Sequence, residues 1–157
     1  MKNKLILRRY YKHENPEPLY DLAGASYGQS PWRLEQFAAD LRGERSLYFV
    51  ANFADVKTPV GFISCHQILD EVEITNLAVH PSWSRQGIAK ALLATLFAEV
   101  SSGELLIKVF LEVRVSNEKA QQLYLGSGFE EISRRKHYYE NPAEDALIMC
   151  KILPKLP

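Results

Sequence analysis

The sequence predicts a mixed α/β fold: one mostly antiparallel sheet with a central parallel strand pair and helices on both faces. Three features predict it. Apolar runs of strand length recur between turn residues along the chain. A helical period over residues 88–100 separates the run at 72–79 from the run at 105–113, and such a connection calls for a right-handed parallel crossover. The remaining neighbouring strands are joined by turns, as an antiparallel meander and a terminal hairpin require.

Residues 5–10 read as a first strand, broken by Asn15-Pro16-Glu17-Pro18. Leu19, Leu22 and Ala23 open a short helix ending near residues 24–28. Ser30-Pro31 fits a helix start, with Ser as N-cap and Pro at the first helical position; Trp32, Phe37, Ala38 and Leu41 give the stripe that Gly43 stops. Strands follow at 47–53 and 60–69, with a turn at 55–59 between them. Asp70-Glu71 leads into a strand where Val72, Ile74 and Ala78 alternate with Thr75, Leu77 and Val79. Both faces are largely apolar, as in a buried strand, until Pro81 removes a backbone donor.

Ile88, Leu92 and Leu96, with Ala89, Leu93, Phe97 and Val100, then recur at helical spacing up to Ser101-Ser-Gly103. In 105–113, Leu105, Ile107, Val109, Leu111 and Val113 make one apolar face, and Glu112 lies at the end of the mixed face. Ser116 or Asn117 caps a helix in which Ala120, Leu123 and Tyr124 share a face. Residues 129–138 and 146–153 form a hairpin around Asn141-Pro142.

The 157 residues make one domain over 1–157, long enough to bury roughly two-thirds of the unfolded surface. Apolar residues at 46% and charged residues at 24% are the balance of a soluble globular protein. Nineteen basic and 19 acidic side chains leave a formal net charge of zero, so no global field favours nucleic acid or an anionic membrane. Cys65 and Cys150 lie far apart in apolar runs and read as buried thiols in a reducing compartment. The N-terminal apolar stretch is too short for a signal peptide, and no segment has the length to span a bilayer; the expectation is a cytoplasmic protein.

The start of the long helix is unusual in charge. No acidic residue stands between Glu73 and Glu99, and the first turn offers Arg85 and Lys90 against the helix dipole. Gly87 permits close backbone approach, and the first helical N–H groups lack partners inside the helix. An external anion would supply the missing negative charge. An ordinary solvated turn with two surface cations reads the same residues as well. Glu112, by its neighbours alone, suits a salt bridge with Arg114 or Lys108; Tyr124 suits a core aromatic, and Asn117 a helix cap.

The ordered set of motifs narrows these alternatives. Asn76-Leu-Ala-Val-His-Pro81, Arg85-Gln-Gly-Ile-Ala-Lys90, Leu111-Glu-Val-Arg-Val-Ser-Asn117 and Ala120-Gln-Gln-Leu-Tyr124 are followed by Gly128-Phe129, Arg134-Arg-Lys-His-Tyr-Tyr139 and Glu144-Asp-Ala-Leu-Ile-Met149. Upstream stands Ser30-Pro-Trp32. With these motifs the chain resembles the GCN5-related N-acetyltransferases (GNAT), and within them the RimI-type group that acetylates protein N-termini. The resemblance covers nearly the whole chain.

That resemblance implies acetyl-CoA as donor and no metal. Its pyrophosphate would sit on the amides of Arg85, Gln86, Gly87, Ile88, Ala89 and Lys90. Its acetyl and pantetheine portion would pair with the backbone of Leu77, Ala78 and Val79, with Asn117 nearby. Ser84 departs from the Gln or Arg usual in the family, a modest loss if backbone amides do most of the binding. Glu112 matches the group's general base and Tyr124 its general acid. Trp32, Tyr138 and Tyr139 would line a groove for the acceptor. The implied acceptor is a protein N-terminus, the N-terminal alanine of a small-subunit ribosomal protein, handled by a monomer or weak dimer without nucleic acid or membrane. A small-molecule amine, a lysine, or a silent acetyl-CoA-binding role are the alternatives, since one fold serves many acceptors. Cys65 and Cys150 fall outside these motifs, and His80 and His137 suit strand-end or surface roles.

Overall fold

A computed structural model describes residues 4–101, 103–140 and 142–155. The elements run β1 (Leu5–Tyr10), α1 (Glu17–Tyr27), α2 (Leu34–Leu41), β2 (Ser46–Phe53), β3 (Gly61–Ile68), β4 (Glu71–Val79), a 3-10 turn (Pro81–Trp83), α3 (Ile88–Val100), β5 (Ile107–Arg114), α4 (Glu118–Gly126), β6 (Glu130–Tyr139) and β7 (Glu144–Leu153). Among the described residues the strands form one sheet in the order β1-β2-β3-β4-β5-β7-β6. The pairs β1–β2, β2–β3, β5–β7 and β6–β7 are antiparallel, and β4 runs parallel to β5. This is the predicted mixed sheet with its central parallel pair.

The chain divides into two compact units, residues 1–67 with 74–99 and residues 68–73 with 100–157. In the first, Leu19, Leu22 and Ala23 of α1 and Phe37 and Leu41 of α2 pack with Tyr10, Tyr48, Val50, Phe62 and Ala78. Asn15 Oδ1 accepts the Glu17 N–H at 3.0 Å, satisfying a donor at the start of α1 that the helix itself cannot. Helix α2 begins at Leu34, later than the Ser30-Pro31 chemistry predicts. Ser30 instead donates its hydroxyl to the Trp32 carbonyl at 2.6 Å, which closes a turn, and the Arg33 N–H is held by Gln36 Oε1 at 2.7 Å. A side chain reaching back from the third helical position thus does the capping.

Strand β4 is buried on one face only. Val72, Ile74, Asn76 and Ala78 point inward, while Glu71 and Glu73 are exposed and Thr75, Leu77 and Val79 half-buried. The sequence-based expectation of two buried faces is corrected here, because the second face of β4 is only partly covered. Asn76 enters the interior because it is satisfied there: its Nδ2 donates to Ser64 Oγ at 3.1 Å, and the Ser64 and Thr75 hydroxyls are 2.7 Å apart. Nearby, Asp40 accepts the Tyr48 hydroxyl at 2.5 Å and lies 2.5 Å from His66 Nε2. This polar chain ties α2 to β2 and β3.

In the second unit the parallel pairing sets Glu71, Val72 and Glu73 against Lys108, Val109 and Phe110. Ile107, Val109, Leu111 and Val113 of β5 are buried, as their spacing predicts; Leu105 lies before the strand and is exposed. Strand β6 pairs with β7 through two register irregularities and is exposed along almost its whole length. Phe129 and Tyr124 are buried and meet edge-on at 5.6 Å. Of the expected hairpin tip, Asn141 lies outside the described residues. Cys65 is buried, Cys150 is half-buried, and neither forms a disulfide. Among the described residues, no helix is long and apolar enough to cross a membrane, and no cluster of His, Cys, Asp and Glu could hold a metal ion.

Candidate active site

The first unit carries residues 74–79 of β4 and the start of α3. The Ala78 carbonyl faces Gly61, where an added Cβ would meet it at 3.1 Å, and the His80 N–H donates to the Val60 carbonyl at 2.8 Å. Successive strand residues direct their N–H and C=O to opposite edges, so Leu77 and Val79 present theirs on the edge away from β3. The Leu77 pair meets the hydroxyl of Tyr27: the hydroxyl donates to the Leu77 carbonyl at 2.5 Å, and the Leu77 N–H donates back at 3.2 Å.

Beyond β4, His80 Nδ1 accepts the Ser82 N–H at 3.1 Å, a strand-end role as expected. Ser84, Arg85, Gln86 and Gly87 are exposed, then Ile88 is 2% exposed and starts α3. Both Arg85 (φ 61°) and Gly87 (φ 76°) are left-handed. Gly87 adopts that conformation without strain, and nothing stands within 4 Å of where a Cβ would be, so the turn is open there. Charge alone singles out Arg85 in the sequence; its backbone conformation has no local sequence signal. The Gly87 carbonyl accepts the Ala91 N–H at 3.0 Å, completing the first helical turn. Ala89 is half-buried and Lys90 exposed. Trp32, expected in an acceptor groove, packs against the first unit's core with its ring 5.0 Å from that of Phe37.

The second unit gathers Glu112, Tyr138 and Tyr139. Glu112, on the half-exposed face of β5, lies 3.8 Å from Arg135 Nη1. A hydrogen bond to Glu112 raises the Tyr138 phenol above its ordinary pKa, with burial and the carboxylate's charge adding to the effect. Burial, followed by the charge of Glu112, pushes Tyr139 up to about 12. The two tyrosine rings meet edge-on at 5.1 Å. Both phenols therefore keep their protons at neutral pH, next to an acceptor carboxylate.

Arg114 does not pair with Glu112, contrary to the simplest reading of the strand. Its guanidinium lies 4.3 Å over the Tyr139 ring, 3.3 Å from Glu144 Oε2, and donates to the Pro142 and Glu140 carbonyls. Glu144 also accepts the Ser116 N–H, and these bonds hold its carboxyl below the usual range. The β5–β7 register, Arg114 opposite Ala146, brings Arg114 to Glu144 and leaves Glu112 to Arg135. Asn117 Oδ1 accepts the Ala120 N–H at 3.1 Å and caps α4, on which Tyr124 is 9% exposed. His137, in the β6 irregularity at φ 53°, donates its N–H to Asp145, a surface role.

This sheet, with its parallel pair flanked by a meander and a hairpin, sets the site residues at the ends of its central strands, and similarity to known proteins identifies its family. The sequence profile of the acetyltransferase (GNAT) family matches residues 7–129. A [ribosomal protein bS18]-alanine N-acetyltransferase of Escherichia coli is 37% identical over 122 residues, 76% of this chain and 80% of that protein. The crystal structure of the ribosomal-protein-S18-alanine N-acetyltransferase from Escherichia coli superposes with a TM-score of 0.86, at 30% identity over 98% of this chain and 97% of that one. Arabidopsis thaliana NAA60 in complex with acetyl-CoA has the same fold, with a TM-score of 0.78 at 20% identity over 96% of this chain and 99% of that one. The chain belongs to the acetyltransferase (GNAT) family. It is an acetyl-CoA-dependent N-acetyltransferase.

Proposed function

We propose that the enzyme acetylates a protein N-terminal α-amine, and that its acceptor is the N-terminal alanine of a small-subunit ribosomal protein. One observation carries the reading: Glu112, the expected general base, raises the phenols of both Tyr138, through a hydrogen bond, and Tyr139, through its charge, two of the three aromatics expected to hold the acceptor. The relatives named for alanine N-acetylation of bS18 support the choice of acceptor.

The chemistry is attack by a neutral amine nitrogen on the thioester carbonyl carbon. A terminal amine has a pKa near 8, so roughly a tenth of it is neutral at pH 7, against well under a thousandth for a lysine. Glu112 takes the proton the nitrogen sheds as the new C–N bond forms, directly or through water. Tyr124 gives its phenolic proton to the sulfur as the C–S bond breaks. The backbone of Leu77 and Val79 pairs with the acetyl and pantetheine portion, and Ala78 between them turns its carbonyl to β3 instead, a correction to the expected run of three. The pyrophosphate rests on the main-chain amides of Arg85, Gln86, Gly87, Ile88, Ala89 and Lys90. The left-handed residues Arg85 and Gly87 suit such an anion cradle, where alternating backbone conformations converge N–H groups. Asn117 contacts the donor near α4, and Trp32, Tyr138 and Tyr139 line the acceptor groove. Residues 1–157 act as one domain, a monomer or weak dimer in the cytoplasm, where two cysteines outside any disulfide are at home.

The test is acetyl transfer to short peptides with free N-termini, beside α-blocked peptides that carry lysine. Transfer confined to the free terminus, strongest for small first residues, is the expected result. Replacing Glu112→Gln and Tyr124→Phe together abolishes turnover and spares acetyl-CoA binding. Transfer to blocked lysine peptides or to polyamines at equal rates overturns the acceptor assignment, and undiminished turnover of the double variant overturns the mechanism.

A further inference from the structure

Tyr27 belongs to none of the family motifs, yet its hydroxyl sits on the main chain of β4. A strand residue aims its N–H and C=O at the same edge, and that pair is normally met by a neighbouring strand or an extended ligand. At Leu77 a single hydroxyl meets both, donating to the carbonyl at 2.5 Å and accepting from the N–H at 3.2 Å. A hydroxyl can do both with one atom, and a tyrosine carries it far enough to reach from a helix end. The contact joins residues 50 apart in sequence, so local chain geometry does not produce it.

Tyr27 is 44% exposed as a residue, and burial pushes its phenol up to about 12, which keeps it protonated near neutrality. The residue ends α1 and is followed by Gly28 at φ 79°, a left-handed cap with nothing within 4 Å of where a Cβ would stand. Tyr27 itself lies outside the buried cluster formed by Leu19, Leu22 and Ala23 of the same helix.

We propose that Tyr27 is a placeholder: its hydroxyl occupies the main-chain donor and acceptor of Leu77 and must leave them when the acetyl and pantetheine portion of acetyl-CoA binds. This rests on the reading that Leu77 pairs with that portion. It makes Tyr27 a positioning residue for the donor, setting how tightly acetyl-CoA is held and keeping the β4 edge satisfied before it arrives. Left bare, the main-chain groups of Leu77 beyond the stretch of β4 paired with β5 would be open to any extended chain.

The experiment compares wild type with Tyr27→Phe, which keeps the ring and removes the competing hydroxyl. Acetyl-CoA affinity is measured by calorimetry, and the Leu77 amide is followed by NMR hydrogen exchange with and without acetyl-CoA. The expected result is acetyl-CoA binding roughly three- to tenfold tighter in Tyr27→Phe, the factor that one or two hydrogen bonds of ordinary net strength represent. The Leu77 amide should exchange faster in the unliganded variant than in wild type, and be equally protected in both once acetyl-CoA is bound. Unchanged or weaker acetyl-CoA binding in the variant overturns the placeholder role, as does a loss of kcat with unchanged affinity, which would make the hydroxyl an acceptor contact. A Leu77 amide that acetyl-CoA fails to protect in Tyr27→Phe overturns the placement of acetyl-CoA on Leu77, and the proposal with it. The two failures are separate signals.

Discussion

Gly61→Ala is the substitution that bears most directly on β4. Gly61 opens β3, and an added Cβ there would meet the Ala78 carbonyl oxygen at 3.1 Å, Ile88 Cγ2 at 3.2 Å and Leu92 Cδ1 at 3.3 Å. Ala78 is strand backbone and cannot rotate away. Ile88 and Leu92 are 2% and 0% exposed, so neither side chain has room to swing aside. Inserting a methyl into such a site costs about 1–3 kcal/mol, and three fixed neighbours put this case at the upper end. Two terms offset it: burial of one carbon, about 0.8 kcal/mol, and the stiffer unfolded chain, about 0.4–1 kcal/mol. The net expectation is a loss of about 1–2 kcal/mol. At this chain length that lowers Tm by roughly 3–7 °C. The relief movement shifts the Ala78 carbonyl and, through it, the Leu77 and Val79 groups on the other edge, so acetyl-CoA affinity falls as well. Differential scanning calorimetry and titration calorimetry read the two effects. A Tm equal to or above wild type refutes the packing argument, and a lowered Tm with unchanged acetyl-CoA affinity refutes the link from Gly61 to the donor-binding edge.

Arg114→Lys removes the planar group over Tyr139 and the fork toward Glu144 and two carbonyls. Acceptor KM should rise several-fold in steady-state kinetics while acetyl-CoA affinity stays within twofold; an unchanged acceptor KM would remove Tyr139 from the groove. Asp40→Ala strips the carboxylate from the buried Tyr48 hydroxyl and from His66, and should cost about 2–4 kcal/mol in urea titration. A loss under 1 kcal/mol would mean that Ser64 or water takes over fully. Stability should also fall in alkali. Burial raises the Tyr27 and Tyr139 phenols from 10.0 to about 12 and the Cys65 thiol from 9.0 to about 12, so the folded chain holds protons that the unfolded chain releases. That stability is complete below pH 9 and is lost as pH rises toward 12. A Tm that is level between pH 8.5 and 11 would contradict it.

Short-range physics is what the amino-acid order alone makes legible. The period of 88–100 sets α3, Asn117 caps α4 within three residues, and the apolar alternation of β5 buries Ile107, Val109, Leu111 and Val113. The acid-free stretch between Glu73 and Glu99 marks the start of α3 by charge alone. Each is a relation between residues a few positions apart, where spacing and side-chain chemistry suffice. Tertiary packing decides partner choice wherever several partners compete. Arg114 has Glu112 two residues away, yet the β5–β7 pairing delivers it to Glu144, and Glu112 is left to Arg135 and Tyr138. Ser30 and Pro31 carry good helix-start chemistry, but Gln36 reaching back to Arg33 starts α2 later. Asn76 looks like an interruption in an apolar strand until Ser64 is placed beside it. Tyr27 carries no signal at all, because its role depends on a main-chain edge 50 residues away. Periodicity fixes which face of an element is apolar; the register between elements, which no local pattern records, decides which polar group meets which.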